Sequence, residues 1–240
     1  MRTAAILPVK RFARAKSRLG ASVADGLRGE LARAMVADVL SALLRAESID
    51  STYVVTCEPS LVQIASEHGA LLVPDDDELG QSAAVTLGVR RALADGVQRV
   101  LCIPGDCPAL DPRELDALLA GARAGADGTE DADGSPGAVQ VVIVPDRHGS
   151  GTNGLLLCPP DAIAPSFGPD SFERHRRLAL AAGVRARVQR PPSLLLDIDT
   201  GADLAVLRER LDASVAPALH TRAALGQPVQ AHIMSVANAD

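Results

Sequence analysis

Thr3-Ala4-Ala5-Ile6-Leu7-Pro8-Val9-Lys10-Arg11-Phe12-Ala13-Arg14-Ala15-Lys16-Ser17-Arg18-Leu19 opens the chain with a short apolar run and then five positive charges between Lys10 and Arg18. Thr3–Val9 reads as a first strand, and a basic loop leaves its C-terminal end. Ligands of open α/β sheets bind at that edge, where loops leave the carboxyl ends of strands. Of 24 basic residues only Lys10 and Lys16 are lysines. Two ammonium groups in one loop of so Arg-rich a chain suggest a point-charge contact to phosphate. The competing reading is a solvated basic loop; its position at a strand end favours a polyphosphate grip.

The rest of the chain repeats the strand-helix unit. Leu31, Met35, Val36, Val39, Leu40, Leu43 and Leu44 form one helical stripe, with Glu30, Arg33, Asp38, Ser41 and Arg45 opposite. Thr52–Cys57 is a strand, and Pro59 opens a helix to about His68. Ala70–Val73 is a strand ending in Pro74-Asp75-Asp76-Asp77-Glu78, and Gln81–Asp95 is a helix. Arg99–Ile103 is a buried strand running into Pro104-Gly105-Asp106-Cys107-Pro108, and a helix starts at Asp111-Pro112 with Leu115, Leu118 and Leu119 on one face. Gly121–Gly137 is low in apolar residues and reads as a mobile surface loop. Val139–Val144 and Gly154–Cys158 are strands around a Gly/Ser turn. A helix starts near Phe172, Leu194–Ile198 is a late strand, and Thr200-Gly201-Ala202-Asp203 is a capping box opening a helix through about Leu211. Alternating strands and helices give an α/β fold, a mostly parallel sheet with helices on both faces. We expect one domain over 1–212 and a loosely held tail over 213–240.

The 240 residues suffice for a real core, and the net charge of −6 makes the basic loop a local feature on an acidic protein. That charge and the scarcity of aromatics (no Trp, one Tyr, three Phe) argue against nucleic acid or an anionic membrane as partner. Cys57, Cys102, Cys107 and Cys158 form no C-x-x-C pair and read as small core hydrophobes in a reduced cytoplasm. No signal peptide or membrane span is visible. The Gly-x-Gly-x-x-Gly fingerprint is missing after strand one, against an NAD enzyme.

Asp106, at the end of a buried strand and flanked by turn residues, is placed for a metal ligand; the alternative is an Asx-turn cap. Asp197 and Asp199 share a face if their segment is a strand. Asp199 is explained by capping the next helix, Asp197 is not. Asp106 and Asp197 together could reach Mg²⁺, which takes one or two carboxylates plus substrate phosphates. Gly149-Ser150-Gly151-Thr152 exposes backbone amides to an anion, and Gly168-Pro169-Asp170-Ser171 is a helix start with Ser171 as N-cap. His148, His175, Arg174, Arg176 and Arg177 read as surface or anion-rim groups; His68, His220 and His232 read as incidental. These parts suit transfer at a nucleoside triphosphate, with the turns on a second anionic substrate.

ILPVKRFARAKSRL, PGDCPAL, DRHGSGTNGLLL, FGPDSFERH and LLDIDTGADL resemble the 2-phospho-L-lactate guanylyltransferase family of coenzyme F-420 biosynthesis, over about residues 3–211. Bacterial phosphoenolpyruvate guanylyltransferases look most similar. The resemblance implies a Rossmann-like, MobA-like nucleotidyltransferase domain in the cytoplasm. It would join phosphoenolpyruvate to GTP, releasing pyrophosphate and enolpyruvoyl-2-diphospho-5'-guanosine. It implies that Thr152, Gly168 and Ser171 hold the phosphoenolpyruvate carboxylate and that Asp106 and Asp197 bind Mg²⁺. Lys10, Lys16 and Arg18 would face the GTP phosphates, with Lys16 and Asp106 central to catalysis. A homodimer is left open. Where members often carry Leu-Asn before the third helix, this chain has Gly80-Gln81-Ser82-Ala83-Ala84. The alternatives are a 2-phospholactate or 3-phosphoglycerate guanylyltransferase, a molybdopterin guanylyltransferase, a glycosyltransferase and a non-catalytic GTP-binding protein. The GSGT and FGPDS pair argues against the molybdopterin enzyme, and the missing Asp-x-Asp against the glycosyltransferase. The two strand-end aspartates argue against a non-catalytic binder.

Overall fold

The computed structural model describes residues 1–12, 19, 25–124, 140–184, 186–213 and 218–226. The first half is a run of crossover units: β1 (Thr3–Val9), α1 (Asp25–Arg45), β2 (Ser51–Thr56), α2 (Leu61–Glu67), β3 (Leu71–Pro74), α3 (Gln81–Ala94), β4 (Arg99–Cys102) and α4 (Pro112–Ala124). The second half holds β5 (Gln140–Pro145), β6 (Thr152–Cys158), α5 (Ser171–Ala181), β7 (Ala186–Val188), α6 (Gly201–Ala213) and α7 (Leu219–Ala224). Among the described residues, seven strands form one sheet in the order β3-β2-β1-β4-β6-β5-β7. β1 to β4 are mutually parallel, and β6 runs antiparallel between β4 and β5.

The strands of the parallel half are apolar on both faces, because both are covered. Along β1, Ala5 and Leu7 face a core with α1, α2 and α4, while Ala4 and Ile6 face a second core with α3 and α5. A third cluster joins Leu31 and Met35 of α1 to Leu204, Leu207 and Leu211 of α6. α3 lies so close to the sheet that a Cβ at Gly88 would come within 2.5 Å of Ile6 Cγ2.

The strand order reverses between β1 and β4, so the loops after these strands leave in opposite directions and open a crevice. β6, running the other way, starts at the same edge: Cys102 pairs with Leu155, placing Thr152 and Asn153 just beyond the end of β4.

Several sequence expectations need correction. Leu194–Ile198 is not a strand. A 3-10 turn spans Pro192–Leu194, and no ladder follows. Leu194, Leu196 and Ile198 are buried alternately, which explains the strand-like pattern. Its backbone instead bonds to scattered partners: Ser193 N, just before it, donates to Glu114 Oε2 (2.8 Å), Leu194 O accepts from Asn153 Nδ2 (3.1 Å), and Ile198 N donates to a loop carbonyl. On α1, Leu44 is exposed while Asp38 is buried. Asp38 accepts from His220 N (3.0 Å) and Thr221 N (2.7 Å), capping the first turn of α7. Residues 218–226 are therefore held against α1, not loose. Residues 121–124 of the expected surface loop finish α4, and 125–139 lie outside the described residues, as do 227–240. α2 starts two residues after Pro59. The capping box is present: Thr200 N and Oγ1 donate to Asp203 Oδ2 (both 2.7 Å), and Asp203 N donates to Thr200 Oγ1 (3.3 Å).

Candidate active site

The crevice at the carboxyl edge of the sheet is a cleft of about 860 Å³. Its walls carry Lys10 from the end of β1, Asp75, Glu78 and Gln81 from the β3–α3 connection, and Asp106 from the loop after β4. Asp146, Thr152 and Asn153 come from the β5–β6 hairpin, Gly168 and Ser171 from the start of α5, and Asp197 and Asp199 from the segment before α6. The structure thus brings together Lys10, Asp106, Thr152, Gly168, Ser171 and Asp197. Lys16 and Arg18 lie outside the described residues.

Asp106 and Asp197 converge because the two segments are tied by their backbones: Ile198 N donates to Asp106 O (3.1 Å). The Asp197 carboxyl is pushed up from the usual carboxylate range, first by burial and then by the charge of Asp106. Asn153, which the sequence reading passed over, donates through Nδ2 to Asp197 Oδ1 (3.1 Å) and fixes that carboxylate. Its only sequence signal is its place beside Thr152.

Two expected details differ. The amides of the Gly/Ser turn are already occupied: Ser150 N donates to Asp146 Oδ1 (3.0 Å) and Gly151 N to Asp146 Oδ2 (2.9 Å). A Cβ at Gly151 would lie 2.7 Å from Asp146 Oδ2, so the glycine admits this internal carboxylate. The N-cap of α5 is Asp170, in the left-handed region at φ 55°, and Ser171 is the first helical residue, buried against the cleft. The turn is clamped to α6 by Arg147, whose guanidinium meets Asp203 Oδ1 at 2.6 Å.

His175 is not a rim group; it is fully buried. Ser166 N donates to its Nε2 (2.9 Å), and its Nδ1 lies 3.0 Å from Thr152 Oγ1. Its ring meets Phe167 edge-on at 5.1 Å. Burial, and next the neighbouring Arg174, push its pKa down to about 4. Arg174 wraps the 166–169 loop, donating to Ser166 Oγ (3.1 Å), Ser166 O (3.1 Å) and Phe167 O (3.2 Å). His148, Arg176 and Arg177 are exposed, as expected.

Among the described residues the cleft is lined by one cation, Lys10, and six carboxylates. Arg11 pairs with Glu78 at 3.2 Å, and Asp146 is spent on its turn. A floor this acidic repels a triphosphate unless a cation intervenes. No group of three or more His, Cys, Asp or Glu side chains that could hold a metal occurs among the described residues. Two carboxylates with room for phosphate oxygens nonetheless suit a hard, oxygen-seeking cation such as Mg²⁺. No helix among them is long and apolar enough to cross a membrane.

Comparison with known proteins shows the fold and the family of the chain. A solved chain from Desulfovibrio desulfuricans G20, assigned to the nucleotide-diphospho-sugar transferases, shares the fold with a TM-score of 0.71 at 18% identity. The match covers 94% of this chain and 95% of that one. A nucleotidyl transferase from Methanothermobacter thermautotroptrophicus matches with a TM-score of 0.58 at 24% identity, over 87% and 96%. A protein of Conexibacter woesei named phosphoenolpyruvate guanylyltransferase is 48% identical over 227 residues, 95% of this chain and 96% of its own. One of the same name from Rubrobacter xylanophilus is 40% identical over 210 residues, 88% and 93%. The profile of the family described as "Guanylyl transferase CofC like" matches residues 3–209, and the chain belongs to that family.

Proposed function

We propose that the cleft transfers the guanylyl group of GTP to phosphoenolpyruvate, in coenzyme F-420 biosynthesis in the cytoplasm. Relatives bearing that enzyme name, one of them 48% identical, support the choice of acceptor. The observation that carries the reaction class is the convergence of Asp106 and Asp197 in one cleft with Thr152, Gly168 and Ser171.

Asp106 and Asp197 would hold Mg²⁺, which supplies charge neutralisation on the triphosphate. Lys10 approaches the phosphates from the end of β1, and Lys16 and Arg18 are assigned to the same task. Thr152, Gly168 and Ser171 hold the acceptor carboxylate. An acceptor phosphate oxygen attacks the α-phosphorus of GTP, the bond from that phosphorus to the bridging oxygen of the β-phosphate breaks, and pyrophosphate leaves. A phosphate monoester has its second pKa near ~6 and is largely ionised at neutral pH. No general base is required, and His175, buried away from solvent, is not used as one. Rate enhancement comes from positioning and charge stabilisation.

The test is pyrophosphate release from GTP and Mg²⁺ with phosphoenolpyruvate, 2-phospholactate and 3-phosphoglycerate in turn. Fastest release with phosphoenolpyruvate is expected; faster release with another acceptor would replace it.

A further inference from the structure

We infer that His175 is a positioning residue, which fixes the Thr152 hydroxyl as a hydrogen-bond donor into the cleft. The inference rests on the reading of Thr152 as an acceptor-carboxylate contact.

Ser166 N carries a hydrogen and can only donate, so His175 Nε2, 2.9 Å away, presents its lone pair. A neutral imidazole with a bare Nε2 carries its proton on Nδ1. Nδ1 faces Thr152 Oγ1 at 3.0 Å, so the ring donates and the hydroxyl oxygen accepts. The proton of Thr152 is not used on the ring, and Thr152 lines the cleft beside Gly168 and Ser171. A hydroxyl that accepts from behind is polarised to donate forward, and a carboxylate oxygen is what it would meet. The alternative tautomer would set Nε2–H against Ser166 N–H and turn the Thr152 proton back towards the ring. Complete burial keeps the ring neutral, and the edge contact with Phe167 keeps it oriented. The same ring therefore ties the 166–169 loop, which carries Gly168, to the strand that carries Thr152.

The two halves of this device separate by substitution. A glutamine amide reaches the place of Nε2 and can accept from Ser166 but cannot donate to Thr152. An asparagine amide reaches the place of Nδ1 and can. We expect His175→Gln to raise KM for phosphoenolpyruvate roughly tenfold, with KM for GTP changed less than twofold. His175→Asn should raise the acceptor KM clearly less. In a Thr152→Val background, His175→Gln should have less than a twofold further effect, because the two residues act as a unit. Equal increases in both KM values, or a double variant showing the product of the single effects, would overturn the inference. Should the variants not fold, histidine ¹⁵N spectra of the wild-type protein decide it. In those spectra, assigned residue by residue, the His175 ring should carry its proton on Nδ1; a proton on Nε2 would refute it. A wild-type protein releasing no pyrophosphate with any acceptor would instead sink the proposed function, and the spectrum would still settle the His175 tautomer.

Discussion

The two halves of the molecule reach the same cleft by different physics. In β1–α4, parallel strands and crossover helices deliver Lys10, Asp75 and Asp106 to one edge as a consequence of topology. In residues 140–213, the cleft-lining groups are held by side-chain hydrogen bonds. Asn153 holds Asp197, His175 joins Thr152 to Ser166, Arg174 wraps 166–169, and Asp203 joins the helix cap to Arg147. Asp106 and the phosphate-facing Lys10 apart, the first half should tolerate polar substitution near the site and suffer from changes in packing; the second should behave in the opposite way.

The largest effect should fall where the halves meet. Asp106→Asn and Asp197→Asn should each lower Mg²⁺-dependent kcat by about a hundredfold or more, with the fold intact by circular dichroism. Near-full activity in either would void the metal assignment. Next comes packing in the first half. Gly88→Ala should cost about 1–3 kcal/mol in a denaturant titration, with both KM values close to wild type. A neutral result would mean that α3 can move off Ile6 freely.

The second half should betray itself through pH. His175 has a folded pKa of about 4 against an ordinary value near 6.5. The unfolded chain therefore takes up a proton, as pH falls from about 6.5 towards 4, that the folded chain refuses. The stability involved is present above this window and is lost on acidification through it. Between pH 6.5 and 5 the wild type should lose about 1–2 kcal/mol more than His175→Gln. The smallest effect expected is that of Ser171→Ala, which should raise the phosphoenolpyruvate KM about five- to tenfold and leave the GTP KM alone. Equal changes in both would remove Ser171 from the acceptor site.

The same contrast explains what could be read before the structure. The continuous apolar runs and helical stripes of residues 3–124 follow from burial, so their strands and helices were legible along with the end of β4 that leads to Asp106. The hairpin and the Thr200–Asp203 box have local signatures and were legible too. The Leu194–Ile198 segment misled because alternate burial mimics a strand while its backbone partners, Asn153 and Asp106, are distant in sequence. Burial of His175 and of Asp38 also depends on partners far along the chain: Thr152 for one, His220 and Thr221 for the other. Polar residues on an amphipathic helix read as solvent-facing unless such partners are known.

Both halves should serve one reaction, and initial-rate pyrophosphate release is the decisive assay. With GTP, Mg²⁺ and phosphoenolpyruvate, release should be rapid and should vanish when either the acceptor or the metal is withheld. Release from GTP that is unaffected by leaving out every phosphorylated acceptor, or no release under any combination, would show that the cleft does not carry out this transfer.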